Sequence, residues 1–309
     1  MSEPVVVLAG GTGGAKLARG MADVVGDDLV VVANTGDDVE IHGAHVSPDP
    51  DLCLFWLADR VDERGWGLAG DTFHAMERLR ARGEDVWFSL GDEDLEIGRD
   101  RARRLAAGER LTGALDALRR TLRVGPRVLP MCDEPVRTWV DGVPFQEWMI
   151  RRGGKAGEAD AGTVELRGVE AARVPPEVAA AVAAARAIVI GPSNPVISIG
   201  PIVAVPGMRT LLHAAGAPVV AVSPFVGGRV VKGPTAAFLR GAAVEPSPAG
   251  VAGLYADLID GFVAEERVAV AVPLLETDVA MDDAAARARL AGEVLRFADG
   301  LREAGVPTS

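Results

Sequence analysis

Apolar residues fall in unbroken runs near both ends of the chain, where strict alternation with polar residues is absent. Val5 to Ala9 and Leu29 to Ala33 read as fully buried strands around a helix over Ala15 to Val25, a βαβ opening. Strands without an exposed face belong to a parallel sheet covered on both sides. The same pattern returns at Ala187 to Ile190, Pro218 to Val222 and Val268 to Val272, with helices before or between. The fold class expected is therefore α/β, a Rossmann-like, doubly wound and mostly parallel sheet shared by both ends. Between them, Leu52 to Arg60, Asp71 to Arg82 and Asp100 to Arg123 read as helices, and "EDVWFSLGDEDL" as a strand and acidic loop. "RTWVDGVPFQEWMI" reads as a hairpin, because Asp141-Gly142 suits a type I′ turn, and Val164 to Val169 offers a further strand. The organisation predicted is one domain over residues 1–309 with a helical and hairpin lobe inserted at roughly 60–175.

Composition narrows the function. With 309 residues, 49% of them hydrophobic, the chain can bury a large core. A net charge of −12 and a pI near 4.9 argue against a binder of nucleic-acid phosphates, which needs clustered Lys and Arg. The two cysteines, Cys53 and Cys132, lie outside any metal-ligand or CxxC spacing and read as buried, reduced thiols. The first apolar run is short, lacks a basic flank and leads straight into glycines, unlike a secretory signal. "VAAAVAAARAIVIG" is broken by Arg186 and too short to span a bilayer. A cytoplasmic protein with small-molecule substrates and no membrane or nucleic-acid partner is expected.

The chemistry begins in "VVVLAGGTGGAKLARG". Strand, glycines and helix aim backbone N–H groups and a helix N-terminus at a phosphate, so Gly11, Thr12, Gly13 and Gly14 are candidate donor-nucleotide contacts, with Lys16 beyond them. A Walker A loop is disfavoured, because Gly14 is followed by Ala15, Lys16 and Leu17 rather than Lys and Ser or Thr. The dinucleotide fingerprint also fails, since Lys16 occupies the third glycine position and the second strand ends at Asn34 instead of an acid. Asn34, Thr35, Asp37 and Asp38 should stand at the carboxyl end of the sheet beside the first loop. Paired carboxylates there call for neutralisation, which a magnesium ion shared with substrate phosphates would supply. "SPDPDLCLF" adds Asp49 and Asp51 at a helix start, candidates for the same metal site. In "VIGPSNPVISIGPIVAVPG" the prolines stiffen a polar loop carrying Ser193 and Asn194. "SPFVGGRVVKG" adds Arg229 and Lys232 as phosphate-binding cations.

Taken together, "GGTGGAKLARG", "NTGDD", "SPDPD", "RGWG", "WFSLGDEDL", "FQEWM", "GPSNPVISIGPI", "SPFVGGRVVKG" and "VPLLETD" resemble the 2-phospho-L-lactate or phosphoenolpyruvate transferase family of deazaflavin coenzyme (F-420) biosynthesis, in order along most of the chain. The resemblance implies transfer of a phospholactyl or phosphoenolpyruvyl group from a guanosine diphospho donor to the ribityl hydroxyl of 7,8-didemethyl-8-hydroxy-5-deazariboflavin, with release of GMP. It also implies magnesium dependence and a homodimer. Asp37 and Asp51 match the metal positions, Gly11 to Gly14 the donor loop, and Ser193 with Asn194 the donor pocket. Arg101 matches an arginine beyond the "GDEDL" block, so Asn34, Thr35, His42, Asp51 and Arg101 form the expected acceptor side. Asp38 or Asp49 is the expected proton acceptor. The chain departs from the family pattern at Gly98 to Ala102, "GRDRA", and at Ser89, where some members carry a basic residue. Two rivals are a nucleotide-sugar-binding regulator, which would carry a Ser- and Gly-rich run where Val39 to Gly43 stand, and a nicotinamide oxidoreductase.

Overall fold

The computed structural model describes residues 3–153, 160–230 and 233–305. Seven strands form the central sheet: β1 (Val5–Ala9), β2 (Leu29–Ala33), β5 (Arg127–Pro130), β9 (Ala187–Ile190), β10 (Val219–Val222), β13 (Gly261–Ala264) and β14 (Leu274–Glu276). Every neighbouring pair is parallel, in the order β14-β13-β10-β9-β1-β2-β5. The chain thus starts in the middle, winds outward through β2 and β5, then returns to β9 on the other side of β1. That reversal makes a crevice beyond the carboxyl ends of β1 and β9, where doubly wound sheets bind ligands.

The strands' continuous apolar runs match burial on both faces. Val6 and Leu8 of β1 meet α7 (Pro176–Ala183), α8 (Gly200–Ala204), α9 (Met208–His213) and α11 (Pro248–Leu254) through Val182, Ile202, Leu212 and Val251. Val5, Val7 and Ala9 meet α1 (Gly11–Val25), α2 (Pro48–Leu57) and α12 (Ala284–Glu303) through Leu17, Leu54 and Val294. A fully buried valine or leucine contributes about 1.5–3 kcal/mol, so the doubly covered strands anchor the crevice rigidly.

Smaller units overhang this sheet. One holds the hairpin of β3 (Val39–Ile41) and β4 (Ala44–Val46), with α3 (His74–Ala81) and α4 (Asp92–Ala106) around Met76, Leu90 and Leu95. Another is the sheet of β6 (Arg137–Val140), β7 (Val143–Pro144) and β8 (Val164–Arg167), packed with α6 (Phe145–Arg152) and α10 (Thr235–Gly241) through Phe145, Trp148 and Phe238. The Asp141-Gly142 hairpin turn is present, with φ of 53° and 75°. The remaining elements are α5 (Leu111–Thr121) and a two-strand ribbon of β11 (Phe225–Val226) and β12 (Arg229–Val230).

Several expected elements differ. Helix α1 begins at Gly11, four residues before Ala15, so the glycines form its first turn. Val268 to Val272 is no strand: its valines pack on the core from outside the sheet, and β13 and β14 take the expected place. Residues 84–91 form no strand, and Asp92 opens α4 rather than sitting in a loop. The long helix expected over Asp100 to Arg123 is two, separated at Gly108, whose φ is 86°. Within the stretch of roughly 60–175, residues 127–130 supply β5 on the edge of the main sheet.

Candidate active site

The first turn of α1 and the loop after β9 close on one another at the switch point. The Gly10 N–H donates to Ser193 Oγ at 3.1 Å, and the Gly11 N–H donates to Asp49 Oδ1 at 2.6 Å. Four N–H groups at a helix start have no intrahelical acceptor, so those of Thr12 and Gly13 remain at the cleft for an anion. The absence of side chains at Gly13 and Gly14 serves the protein's own packing: a Cβ would meet Pro192 O at 2.2 Å and Ser193 Oγ at 2.6 Å respectively.

Asp49 ties three elements together. From the first turn of α2 its carboxylate reaches across to α1, and Oδ2 accepts from Asn34 Nδ2 at 2.9 Å at the end of β2. Burial pushes its carboxyl up to about 6, against the pull of Asn34 and the Gly11 amide. Asp37 is 6% exposed, and its Oδ1 has no hydrogen-bond partner among the described residues. Burial, then the Asp49 charge, raise the Asp37 carboxyl well above the usual range. Asp38 points elsewhere: Oδ2 accepts from Ser47 Oγ at 2.7 Å and faces His45 Nε2 at 2.9 Å.

Asp51 is held from behind. Arg101 Nη1 donates to Asp51 Oδ2 and to His45 O, each at 3.0 Å, and Nη2 donates to Asp51 Oδ1. Burial raises the Asp51 carboxyl and the Arg101 charge opposes it. Asp94, in the first turn of α4, is raised to about 7 by burial, with Asp51 adding to it and Arg101 opposing.

These groups share a cleft of about 680 Å³. Gly11, Thr12, Gly13, Lys16, Ser193 and Asn194 line it together with Asp37, Asp49, Asp51 and Asp94. Trp66, Phe73, Trp87, Phe88, Phe145 and Met149 line the rest, an apolar wall suited to a planar ring.

Not every expected contact reaches this cleft. Gly14 is packed beneath Ser193, and Asn34 and Thr35 are buried, Asn34 as a support for Asp49. Asp38 is engaged by His45 and Ser47 and stands outside the wall. His42 occupies the β3–β4 turn, its Nε2 3.3 Å from Phe88 O, and Arg101 lies behind Asp51. Arg229 is on the exposed β11–β12 ribbon, whereas Val226 and Val230 face the cleft. Lys232 lies outside the described residues. Lys16 does line the cleft, its Nζ donating to Met281 O at 3.1 Å. The aromatic wall and Asp94 are what residue-by-residue reading missed. Their signals were the "RGWG", "WFSLGDEDL" and "FQEWM" blocks.

Residues 5–292 match the family model described as 2-phospho-L-lactate transferase CofD. The chain belongs to the CofD family. It is 38% identical to a 2-phospho-L-lactate transferase of Methanosarcina mazei, over 85% of this chain and 87% of that one. It is 39% identical to a phosphoenolpyruvate transferase of Streptomyces coelicolor, over 97% and 99% of the two chains. The fold is also that of a UPF0052-family protein from Bacillus halodurans, with a TM-score of 0.60, 15% identity and coverage of 96% and 99%. As a CofD-family member the chain joins a set of transferases, and no helix among its described residues is long and apolar enough to cross a membrane.

Proposed function

We propose that this CofD-family protein transfers a phosphoenolpyruvyl or 2-phospho-L-lactyl group from a guanosine diphospho donor to the ribityl hydroxyl of 7,8-didemethyl-8-hydroxy-5-deazariboflavin, releasing GMP. The observation that carries the reading is the convergence, in one cleft, of the α1 N-terminus, the Ser193-Asn194 loop, buried Asp37 and Asp49, and an aromatic wall. A diphosphate fits the Thr12 and Gly13 amides. A tricyclic acceptor fits the wall, and its polyol arm would then run toward the acids.

The acids fit a magnesium ion. Asp37 Oδ1 is a buried oxygen without a donor among the described residues, and burial and the Asp49 charge raise the Asp37 carboxyl, as expected of an acid awaiting a positive charge. Magnesium takes one or two carboxylates and completes its shell with phosphates and water. Asp37 and Asp51 would hold it. Such an ion, when bound, neutralises charge that develops on the diphosphate oxygens.

The chain's own groups do the rest. Thr12 and Gly13 N–H groups orient the diphosphate, Asp49 and Ser193 fix the α1 turn that presents them, and the aromatic wall excludes water from the acceptor. No protein nucleophile is needed, because a hydroxyl attacks phosphorus directly. The test is an assay with magnesium, the deazariboflavin acceptor and each three-carbon guanosine donor supplied separately, with GMP and phosphodiester product read by mass spectrometry. Product from either donor is expected. No product, together with binding of a nucleotide sugar but not of the acceptor, would replace this reading with a regulatory one.

A further inference from the structure

We propose that Asp94 is the catalytic residue that holds the attacking hydroxyl of the acceptor and takes its proton. This role rests on the transfer reaction proposed above and names the base within it.

The argument is one of occupancy. Six carboxylates line the cleft; Asp282, just before α12, is exposed to water, and of the five at the α2, α4 and β2 ends and in the loop before α3, four are committed. Both Asp49 oxygens accept hydrogen bonds, from Gly11 and Asn34. Asp51 faces the two-pronged guanidinium of Arg101. Asp71 caps α4, accepting the N–H groups of Glu93 at 2.9 Å and Asp94 at 3.0 Å. Asp37, buried in the cleft, is assigned to the cation. The Asp94 carboxylate also lines the cleft, yet it accepts no hydrogen bond from the described residues. Its acceptor capacity is open to a ligand.

Its placement is fixed as a base requires. The bond from its own N–H to Asp71 Oδ2 locks its backbone in the first turn of α4. Asp71 can pack there because residue 91 is glycine: a Cβ at Gly91 would stand 2.0 Å from Asp71 Oδ2. Asp94 precedes Arg101 by seven residues, two helical turns along the same face, so the face that secures Asp51 also presents Asp94. The residues just upstream, Trp87 and Phe88, belong to the aromatic wall. A ring on that wall would therefore share one cleft with Asp94 and the donor loop, which puts the acceptor's hydroxyl arm within the space that Asp94 lines.

The surroundings suit proton transfer near neutrality. Burial, with Asp51, Asp71 and Glu93 adding to it and Arg101 the one charge opposing, raises the carboxyl to about 7. A base so poised is substantially ionised at neutral pH and retains a useful affinity for the proton. In the step itself, the hydroxyl oxygen bonds to the phosphorus that carries the three-carbon group. The bond from that phosphorus to the bridging oxygen breaks, its electron pair leaves with GMP, and the hydroxyl proton passes to Asp94 and then to solvent.

The experiment compares wild type, Asp94→Asn and Asp94→Glu with magnesium, acceptor and each donor, and measures kcat between pH 5.5 and 8.5, acceptor affinity by fluorescence titration, and thermal melting. In Asp94→Asn, kcat is expected to fall about a hundredfold or more while acceptor affinity stays within about threefold and melting is unchanged. The glutamate variant should regain part of that rate. Other carboxylates share the cleft, so the diagnostic feature is an acid limb of the wild-type profile that disappears in Asp94→Asn. Retention of kcat or of that limb in Asp94→Asn overturns the role of Asp94 alone, as does a loss confined to acceptor affinity. A wild-type protein that makes no product from either donor overturns the transfer reading, and the role of Asp94 with it.

Discussion

Arg101 and Asp51 form a two-pronged ion pair in the protein interior, with Nη1 3.0 Å from Oδ2 and side chains only 2% and 5% exposed. The pair joins α4 of the overhanging lobe to α2 beneath the cleft. Removing one partner of such a pair leaves an uncompensated charge, so Arg101→Met is expected to lower stability by about 3–5 kcal/mol. The double variant Arg101→Met/Asp51→Leu should recover most of this, because both charges then leave the interior together. Urea unfolding of the two variants decides the matter. A single variant as stable as wild type would show that Asp51 takes up a proton or reaches water when Arg101 is gone.

Asp37 should show the opposite balance. Its buried Oδ1 lacks a donor among the described residues and its ionisation is opposed by burial and Asp49, so a neutral amide suits the resting protein at least as well. Asp37→Asn is expected to melt at or above the wild-type temperature while turnover falls about a hundredfold or more, the scale for a lost charge stabiliser in a transition state. Turnover near wild type at saturating magnesium would remove Asp37 from the metal site.

How much of this was readable from residues alone follows from what each signal depends on. The strands β1, β2 and β9 were legible because burial on both faces demands unbroken apolar runs, whatever the neighbours are. Val268, Val270 and Val272 misled because one-sided packing against the core also selects alternating valines, without any strand partner. The first turn of α1 was hidden by glycines of low helix propensity, which are there because Pro192 and Ser193 approach so closely. Placing Asp37 and Ser193 at the carboxyl ends of their strands needed only chain order and sheet polarity, whereas Asp49 was joined to them through the charge that Asp37 leaves to be neutralised. That one face of α4 brings both Arg101 to Asp51 and Asp94 to the cleft depends on the register of α4 against β4 and α2, which no local pattern encodes.

Gly13 and Gly11 offer a controlled comparison in one helical turn. A Cβ at Gly13 would stand 2.2 Å from the backbone oxygen of Pro192, so Gly13→Ala must push α1 away from the β9 loop. An overpacking cost of about 1–3 kcal/mol is expected, together with weakened GMP binding, because the Thr12 and Gly13 amides move as well. Gly11 has open space around its Cβ direction but a φ of +63°, so Gly11→Ala suffers backbone strain of about 1–2 kcal/mol with no loop displaced. Thermal melts should fall for both variants, while calorimetric GMP titration should separate them, with the larger affinity loss at Gly13. Equal losses of affinity would mean that the turn responds as one unit and that the Pro192 contact has no special part.

His45 gives the fold a dependence on alkaline pH. Its Nε2 lies 2.9 Å from Asp38 Oδ2 and its Nδ1 3.2 Å from Glu40 Oε1, so both ring nitrogens face carboxylates. Burial alone would lower its proton affinity, but the bonds to Asp38 and Glu40 outweigh burial and raise the imidazolium to about 9 from its usual 6.5. The folded state therefore binds this proton more tightly than the unfolded chain does. The resulting stabilisation, on the order of 3 kcal/mol, is fully present below the unfolded value of about 6.5 and disappears as pH rises through the folded value. Urea-unfolding free energies of wild type should fall steadily between pH 6.5 and 9, and His45→Gln should flatten that decline. If the variant keeps the wild-type slope, the proton that links pH to folding resides on another group and the His45 bridge between Asp38 and Glu40 is neutral in the folded protein.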